Sequence, residues 1–331
     1  MKKLIFMFSV VAVFVGLSAE KMQPIYRNSE FNAHKNSPIV QSSSTRDVTE
    51  WEFSIDPTSL ITNYYDYQPG SYNSCPIRIQ EDEVGGGIYM TFHARETAAS
   101  TRRVYYAYVD ANENVTNVAT ISSDDLHEGY PGIDIDPLTG DPFVTWHVNI
   151  DLCSADAEVV VTYDLYHLSP GLWKTPFVVI DDNTQSPNMP ADEFIWSYAY
   201  IGPSPITGKQ RVYVIASNSN VSPVNGNPSE NNLIAYADFD VNDLNAQSEL
   251  DWTYYTIPLM DDWNAGIPEW VRPFKAMAVS EDGKVALFGF TATDGATTLI
   301  GDKLFCFLNE NYGEGDYTYY ESDGEWDIPN P

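Results

Sequence analysis

The sequence is poor in cysteine, with three in 331 residues. Three cysteines close at most one disulfide, and no Cys-x-x-Cys pair is present, so a disulfide-rich scaffold and a structural zinc site are both excluded. Cys306 lies in the apolar segment KLFCFLN, which predicts a buried thiol. Cys75 and Cys153 both fall in predicted loops, and whether they pair stays open.

Positive charge is also scarce. Lys and Arg number 17 against 47 Asp and Glu, and the formal net charge is −30 at pH 7. A surface this negative repels nucleic acid and anionic membranes, so neither is expected as a partner. Such an acidic surface favours solubility outside the cell.

Long apolar runs are absent after the first residues. The run from Leu4 to Leu17 follows Lys2 and Lys3 and ends in small residues before Glu20. This pattern predicts a signal peptide over 1–19, and the run is too short to span a bilayer. We therefore expect a secreted protein, extracellular or periplasmic, with no membrane span.

Apolar residues at helical spacing are missing as well, whereas strand-turn-strand patterns recur. The segment 129–148, GYPGIDIDPLTGDPFVTWHV, alternates apolar and polar residues, turns at Pro137 to Gly140 and continues as an apolar strand. Similar hairpins occupy 78–96, 200–218 and 276–293. Each is followed by a further pair of predicted strands, which gives four repeats of a four-stranded antiparallel unit.

Units of this kind bury their sheets only between neighbours, so the repeats predict an all-β fold, a β-propeller of four-stranded blades. We expect a flexible leader over 20–50 and a propeller domain over 51–331, with blades near 74–121, 131–181, 194–258 and 272–320. Four blades are few, and we expect an incomplete six- or seven-bladed propeller. The alternative is closure with four or five blades, using residues 51–67.

The turns at 279–286 (VSEDGKVA) and 134–142 (DIDPLTGDP) resemble the inner hairpins of secreted bacterial propellers of the sialidase-like, BNR-type repeat superfamily. The resemblance implies that two sets of loops share one rim around the channel. Those loops are 64–74, 122–131, 181–193 and 261–273, together with 93–103, 147–157, 217–231 and 291–301. Sialidase activity itself is not expected, because the Ser-x-Asp-x-Gly-x-x-Trp box of that family is missing from Ser280 to Gly283.

Histidines, arginines and aromatic residues in these loops are the candidates for ligand binding, because aromatic rings stack on sugar rings and polar groups bond hydroxyls. The candidates are His93, Arg95, His127, Tyr130, His147, Trp196, Trp263, Trp270 and Arg272. His93 and His147 occupy equivalent positions in two repeats. The competing interpretation of each aromatic residue is packing between blades.

One acidic run has the spacing of a calcium loop. Asp238, Asp240 and Asn242 occupy positions one, three and five of a window that ends at Glu249. Position six is Asp243 where a glycine is usual, so an ordinary acidic turn is the competing interpretation. Calcium is the single cofactor that the sequence suggests.

The sequence favours a non-catalytic binding or surface-associated module whose rim takes a glycan or an extracellular protein. The alternative is a glycoside hydrolase-like propeller that acts on polysaccharide through a pair of rim carboxylates. The acids available for such a pair are Asp124, Asp125, Glu128, Glu193, Asp261, Asp262 and Glu269. A purely architectural repeat is a third possibility.

Overall fold

The computed structural model describes residues 58–64, 76–121, 126–149, 157–165, 171–181, 193–219, 231–264, 271–292 and 301–321. The chain divides into two compact units, 1–57 and 58–331, and every described residue belongs to the second. The predicted signal peptide and leader, the segment 51–55, Cys75 and Cys153 lie outside the described residues.

Sixteen strands form four sheets of four in the described part of the chain. The first sheet contains β1 (Ile77–Ile79), β2 (Ile88–Ala94), β3 (Arg103–Val109) and β4 (Val115–Thr120). The second contains β5 (His127–Ile135), β6 (Pro142–Asn149), β7 (Glu158–Tyr163) and β8 (Phe177–Ile180). The third contains β9 (Phe194–Pro203), β10 (Gln210–Asn218), β11 (Asn232–Phe239) and β12 (Thr253–Thr256). The fourth contains β13 (Val271–Val279), β14 (Val285–Ala292), β15 (Gly301–Asn309) and β16 (Thr318–Glu321).

Each sheet is an antiparallel meander in chain order, which confirms the predicted four-stranded units. Helix is limited, among the described residues, to a 3₁₀ turn at Asp82–Val84, α1 (Val241–Asn245) and α2 (Pro258–Asn264). None of these helices has the length and apolar character that crossing a membrane requires.

Consecutive sheets pack face to face through three hydrophobic cores. Strand β10 illustrates why: Val212 and Val214 lie in the core shared with the second sheet, whereas Tyr213 and Ile215 lie in the core shared with the fourth. Successive side chains of a strand point to opposite faces, so a strand buried on both faces is apolar throughout. A third core joins the first sheet to the second. Stacking of this kind is that of propeller blades, and the all-β, propeller-type fold class predicted above is confirmed.

The turn ends of the inner strands are tied together by Asp134 in β5. Its Oδ1 accepts a hydrogen bond from Arg78 Nε of the first blade at 2.6 Å, and its Oδ2 accepts one from the Ile201 N–H of the third at 2.7 Å. Burial raises the pKa of Asp134, although the charge and hydrogen bond of Arg78 and the Ile201 N–H act to lower it. One carboxylate therefore holds three blades in register.

Candidate functional site

The inner strands β5 and β9 are irregular at the end opposite to their turns. In β5, Gly129 faces His147 and Gly132 faces Thr145, so two residues, Tyr130 and Pro131, oppose a single residue of β6. This is a β-bulge, a device that re-aims side chains near binding sites. The sequence predicted that the second blade begins near residue 131. The strand begins at His127 instead, because the bulge lets pairing continue beyond the interruption.

The same irregularity recurs in the third and fourth blades. Trp196 and Ser197 form the bulge of β9, between Ile195 and Tyr198, and Arg272 and Pro273 form that of β13. Three blades therefore carry a bulge at the same strand end, and its first residue is Tyr130, Trp196 or Arg272. We call this end of the sheets the bulge rim and define it by those three residues.

Two of the bulges hold an aromatic residue in the left-handed region of backbone space. Tyr130 has φ of +55° and Trp196 has φ of +52°. Large non-glycine residues adopt this conformation rarely, at a cost on the order of 1–3 kcal/mol, and such strain concentrates at binding and catalytic sites. As a result, both side chains depart from the alternating direction that side chains have along a regular strand.

The bulges of β5 and β9 lie side by side. A Cβ on Gly132 would approach Ser197 O and Tyr198 Cα at 3.3 Å, so the two backbones nearly touch. Thr145 Oγ1 of β6 also donates to Ser197 Oγ at 3.0 Å. Tyr130 and Trp196 are therefore presented by adjacent segments of the bulge rim.

Tyr130 is the centre of a cluster that contains both candidate histidines. Its ring stacks on the His147 ring with centroids 5.1 Å apart, and it meets the His93 ring edge-on at 5.0 Å. The Tyr130 N–H donates to His93 Nδ1 at 3.0 Å, which places the proton of a neutral His93 on Nε2. The structure thus brings together three of the residues nominated from the sequence.

The cluster also contains Arg102, which was not among the candidates. Its Cζ lies 5.1 Å from the centroid of the Tyr130 ring, and its Nε donates to Glu128 O. A Cβ on Gly129 would lie 2.6 Å from Arg102 Cζ, so any side chain at this position would have to displace the guanidinium. The sequence carries a signal for this, since the corresponding bulge positions in other blades are Ile195 and Val271.

Of the candidates outside this cluster, Trp196 lies in the bulge of β9 and Arg272 in that of β13. Arg95 follows β2, where its N–H donates to Asn63 Oδ1 at 3.0 Å and its carbonyl accepts from the Tyr64 N–H at 3.1 Å. The backbones of His127, Trp263 and Arg272 lie in β5, α2 and β13, but their side chains lie outside the described part of the structure, and Trp270 lies outside it altogether.

The rim acids that the structure describes are engaged in structural bonds. Glu128 Oε2 accepts from the Val104 N–H at 3.3 Å, and Glu193 Oε1 accepts from the Ala157 N–H at 2.7 Å. Asp261 Oδ1 accepts from Asn231 Nδ2 at 2.9 Å. Asp134 and Asp136, whose pKa values burial raises, lie at the turn end of β5, away from the bulge rim.

The acidic run considered for calcium has other roles. Asp238 receives two hydrogen bonds of 2.8 Å from Arg211, and the Asp240 carboxylate caps α1 by accepting from the N–H groups of Asn242 and Asp243. A capping box of this kind explains why an acidic turn occurs here, because it satisfies the first amides of the helix. Among the described residues, no three His, Cys, Asp or Glu side chains are grouped so that they could hold a metal ion.

No protein-family model matches the chain, and no curated protein matches its sequence. Among solved structures, the chain is similar to the Hadza microbial sialidase Hz136, with 10% identity over 77% of this chain and 58% of that one and a TM-score of 0.37. It is similar to a PL25 ulvan lyase, with 10% identity over 77% and 58% and a TM-score of 0.44. It is also similar to a thermostable family-43 glycoside hydrolase, with 15% identity over 77% and 75% and a TM-score of 0.41.

The chain thus spans 58% of the length of the sialidase and of the ulvan lyase. Likenesses this distant say nothing about activity. The assignment of the chain as an all-β protein built of stacked, propeller-type blades rests on its own four sheets and three cores.

Proposed function

We propose that this chain is an exported, non-catalytic β-propeller that binds a neutral glycan at the bulge rim. The observation that carries the proposal is the pair of adjacent bulges that hold Tyr130 and Trp196 in strained backbone. Sugar rings are bound by aromatic faces together with hydrogen-bonding side chains. Trp196 supplies the ring face, since the Tyr130 ring is already in contact with His93, His147 and Arg102.

Binding is favoured over hydrolysis by the state of the three rim carboxylates that the structure describes. A glycoside hydrolase needs two carboxyl groups that flank the scissile bond, one of them with a raised pKa. Glu128, Glu193 and Asp261 instead accept structural hydrogen bonds, and the raised pKa values of Asp134 and Asp136 belong to the opposite strand end. These facts support a site that holds its ligand unchanged.

A neutral ligand is favoured by charge. The net charge of −30 repels polyanions such as uronate or sulfate glycans, and the guanidinium of Arg102 is engaged with Glu128 O and the Tyr130 ring. A glycan without charge meets no such repulsion. Its hydroxyl groups would bond Tyr130, which is partly exposed, whereas His93 and His147 are buried beneath it and orient its ring.

The test is a glycan-array screen of the mature protein, followed by affinity electrophoresis on any hit. We expect Trp196→Ala to weaken retention about five- to thirtyfold, since loss of a stacking ring costs on the order of 1–2 kcal/mol. Trp196→Phe should retain part of the affinity. Tyr254→Ala, which removes an exposed ring of β12, is the matched control and should bind as the parent does.

Mass analysis of the glycan after incubation distinguishes binding from hydrolysis. An intact ligand supports the binding module, whereas a shortened ligand would replace it with the hydrolase. Absence of binding to every neutral glycan, or equal binding by the parent and Trp196→Ala, would overturn the proposal.

A further inference from the structure

A concave site lies between the outer strands of the third and fourth blades, outside the bulge rim. It is a cavity of 540 Å³ between β12 with the start of α2 and the loop and strand 313–319. A volume of this size holds a small ligand or the end of a side chain. The residues that line it are Tyr236, Thr253, Tyr255, Thr256, Ile257, Pro258, Leu259, Phe307, Gly313, Glu314, Gly315, Asp316, Tyr317 and Tyr319.

Tyrosine rings dominate the wall of this cavity, which we call the tyrosine cleft. Tyr255 stacks on Tyr317 with centroids 5.7 Å apart and meets Tyr236 edge-on at 5.9 Å. The Tyr255 and Tyr317 hydroxyls are hydrogen-bonded to each other. Burial raises the pKa of both phenols, so both rings stay neutral at physiological pH.

The mouth of the cleft is acidic. Glu314 and Asp316 lie in its wall, and they also line a neighbouring cavity of 460 Å³ to which Glu310 contributes. Arg211 forms ion pairs with Asp238 and with Glu314. Among the described residues that line either cavity there is no lysine or arginine. Negative charge at the mouth is therefore in excess.

Arg211 also gives an example of the chemistry that the rings support. Its Cζ lies 4.0 Å from the centroid of the Tyr236 ring, well within cation–π range. A second cation that entered from the acidic side would meet the rings of Tyr255 and Tyr317. Aromatic rings with carboxylates beside them are the arrangement that recognises alkylated ammonium groups, which carry charge but are weakly hydrated.

We propose that the tyrosine cleft binds an alkylammonium group. Its source is either a small quaternary ammonium solute or a lysine side chain, methylated or not, on another protein. Neutral rings attract the charge through their faces, and Glu314 and Asp316 raise the local concentration of cations at the mouth. This site is independent of glycan binding at the bulge rim.

Isothermal titration calorimetry with choline, and with its neutral isostere 3,3-dimethyl-1-butanol, tests the proposal. We expect choline to bind and the isostere to bind at least tenfold more weakly. A peptide that contains trimethyllysine, compared with unmodified lysine and with norleucine at that position, distinguishes the protein source from the solute. Equal affinity for choline and its isostere, or no binding of choline and of both lysine peptides, would overturn the proposal.

Two variants locate the site. Asp316→Asn should weaken choline binding severalfold, whereas Asp282→Asn makes the same charge change in a turn that does not line the cleft, where Asp282 is 61% exposed, and should leave it unchanged. Tyr317→Leu should abolish binding while Tyr317→Phe retains it, and both should bind glycan at the rim as the parent does. Equal choline affinity in Asp316→Asn and Asp282→Asn would contradict the assignment even if Tyr317→Leu failed to fold.

Discussion

The guanidinium of Arg211 is expected to be the largest single polar contribution to the contact between the third and fourth blades. It is 2% exposed and donates to Asp238 through Nε and Nη2, to Tyr312 O through Nη1 and to Glu314 Oε1 through Nη2, each at 2.8 Å. Arg211→Met keeps the apolar length of the side chain but removes all of these bonds. The carboxylates of Asp238 and Glu314 then lose their cation.

Removing one partner of a buried ion pair costs about 3–5 kcal/mol. Asp238 is 18% exposed and Glu314 is 41% exposed, so water rehydrates both in part and the lower end applies, about 3 kcal/mol. The control is Lys209→Met. Its partner Asp243 is 2.8 Å away, but both side chains are about 30% exposed, so the expected cost is at most about 0.5 kcal/mol.

The assay is urea unfolding of the parent and both variants, followed by circular dichroism. Equal losses of stability in Arg211→Met and Lys209→Met would refute the reasoning, because burial of the pair would then have no effect. A second check uses pH. Burial raises the pKa of Asp238, but hydrogen bonds from Arg211 and Ser204 and the charge of Arg211 outweigh it, so the pKa lies below the ordinary value of 3.8.

The stability that the Asp238 carboxylate contributes is therefore full above pH 3.8 and is lost as the pH falls through its lower folded pKa. We expect the difference between the parent and Arg211→Met to shrink over that range. A difference that stays constant into strong acid would show that the ion pair is not its source.

Three further predictions concern other parts of the fold. Gly129→Ala should displace Arg102, because its Cβ would lie 2.6 Å from Arg102 Cζ. This displacement should destabilise the protein by about 1–3 kcal/mol and weaken glycan binding. The control Gly208→Ala adds its methyl group to open space and should leave glycan binding unchanged. The pKa of Asp134 is raised in the folded state, so its contribution to stability is full below pH 3.8 and is lost as the pH rises through the folded pKa. In urea unfolding at several pH values, Asp134→Asn should flatten this decline of the unfolding free energy with pH. An unchanged slope of the unfolding free energy against pH would contradict the raised pKa. Cys306 is buried, and burial raises the pKa of its thiol. In a variant that carries Cys75→Ser and Cys153→Ser, Cys306 should therefore react with Ellman's reagent only after denaturant is added. Fast reaction of the native protein would disprove its burial.

Much of the fold was predictable from sequence because the signals are local. Alternation and turn residues located the hairpins, and the predicted turn at Pro137 to Gly140 lies between β5 and β6. Continuous apolar strands such as β10 also indicated burial on both faces, which the two cores on either side of that strand confirm. Cys306 is buried as its apolar neighbours predicted.

The bulge rim depended on tertiary structure. Whether Tyr130 and Trp196 adopt positive φ is decided by the register of the partner strands, which no local pattern specifies. Arg102 reaches the Tyr130 ring from a different blade, across the space that Gly129 leaves. The sequence predicted individual rim residues but not which of them would be in contact.

The acidic run at 238–249 illustrates the same limit. Oxygen ligands at calcium-like spacing and an N-terminal capping box have the same local composition, Asp and Asn at short intervals. In the structure, Asp238 pairs with Arg211 of the neighbouring strand, and Asp240 caps the start of α1. Local composition thus determined where strands, turns and acids lie along this chain, while tertiary contacts decided what polar side chains such as Asp238 and Glu314 do, because partners distant in sequence supply their bonds.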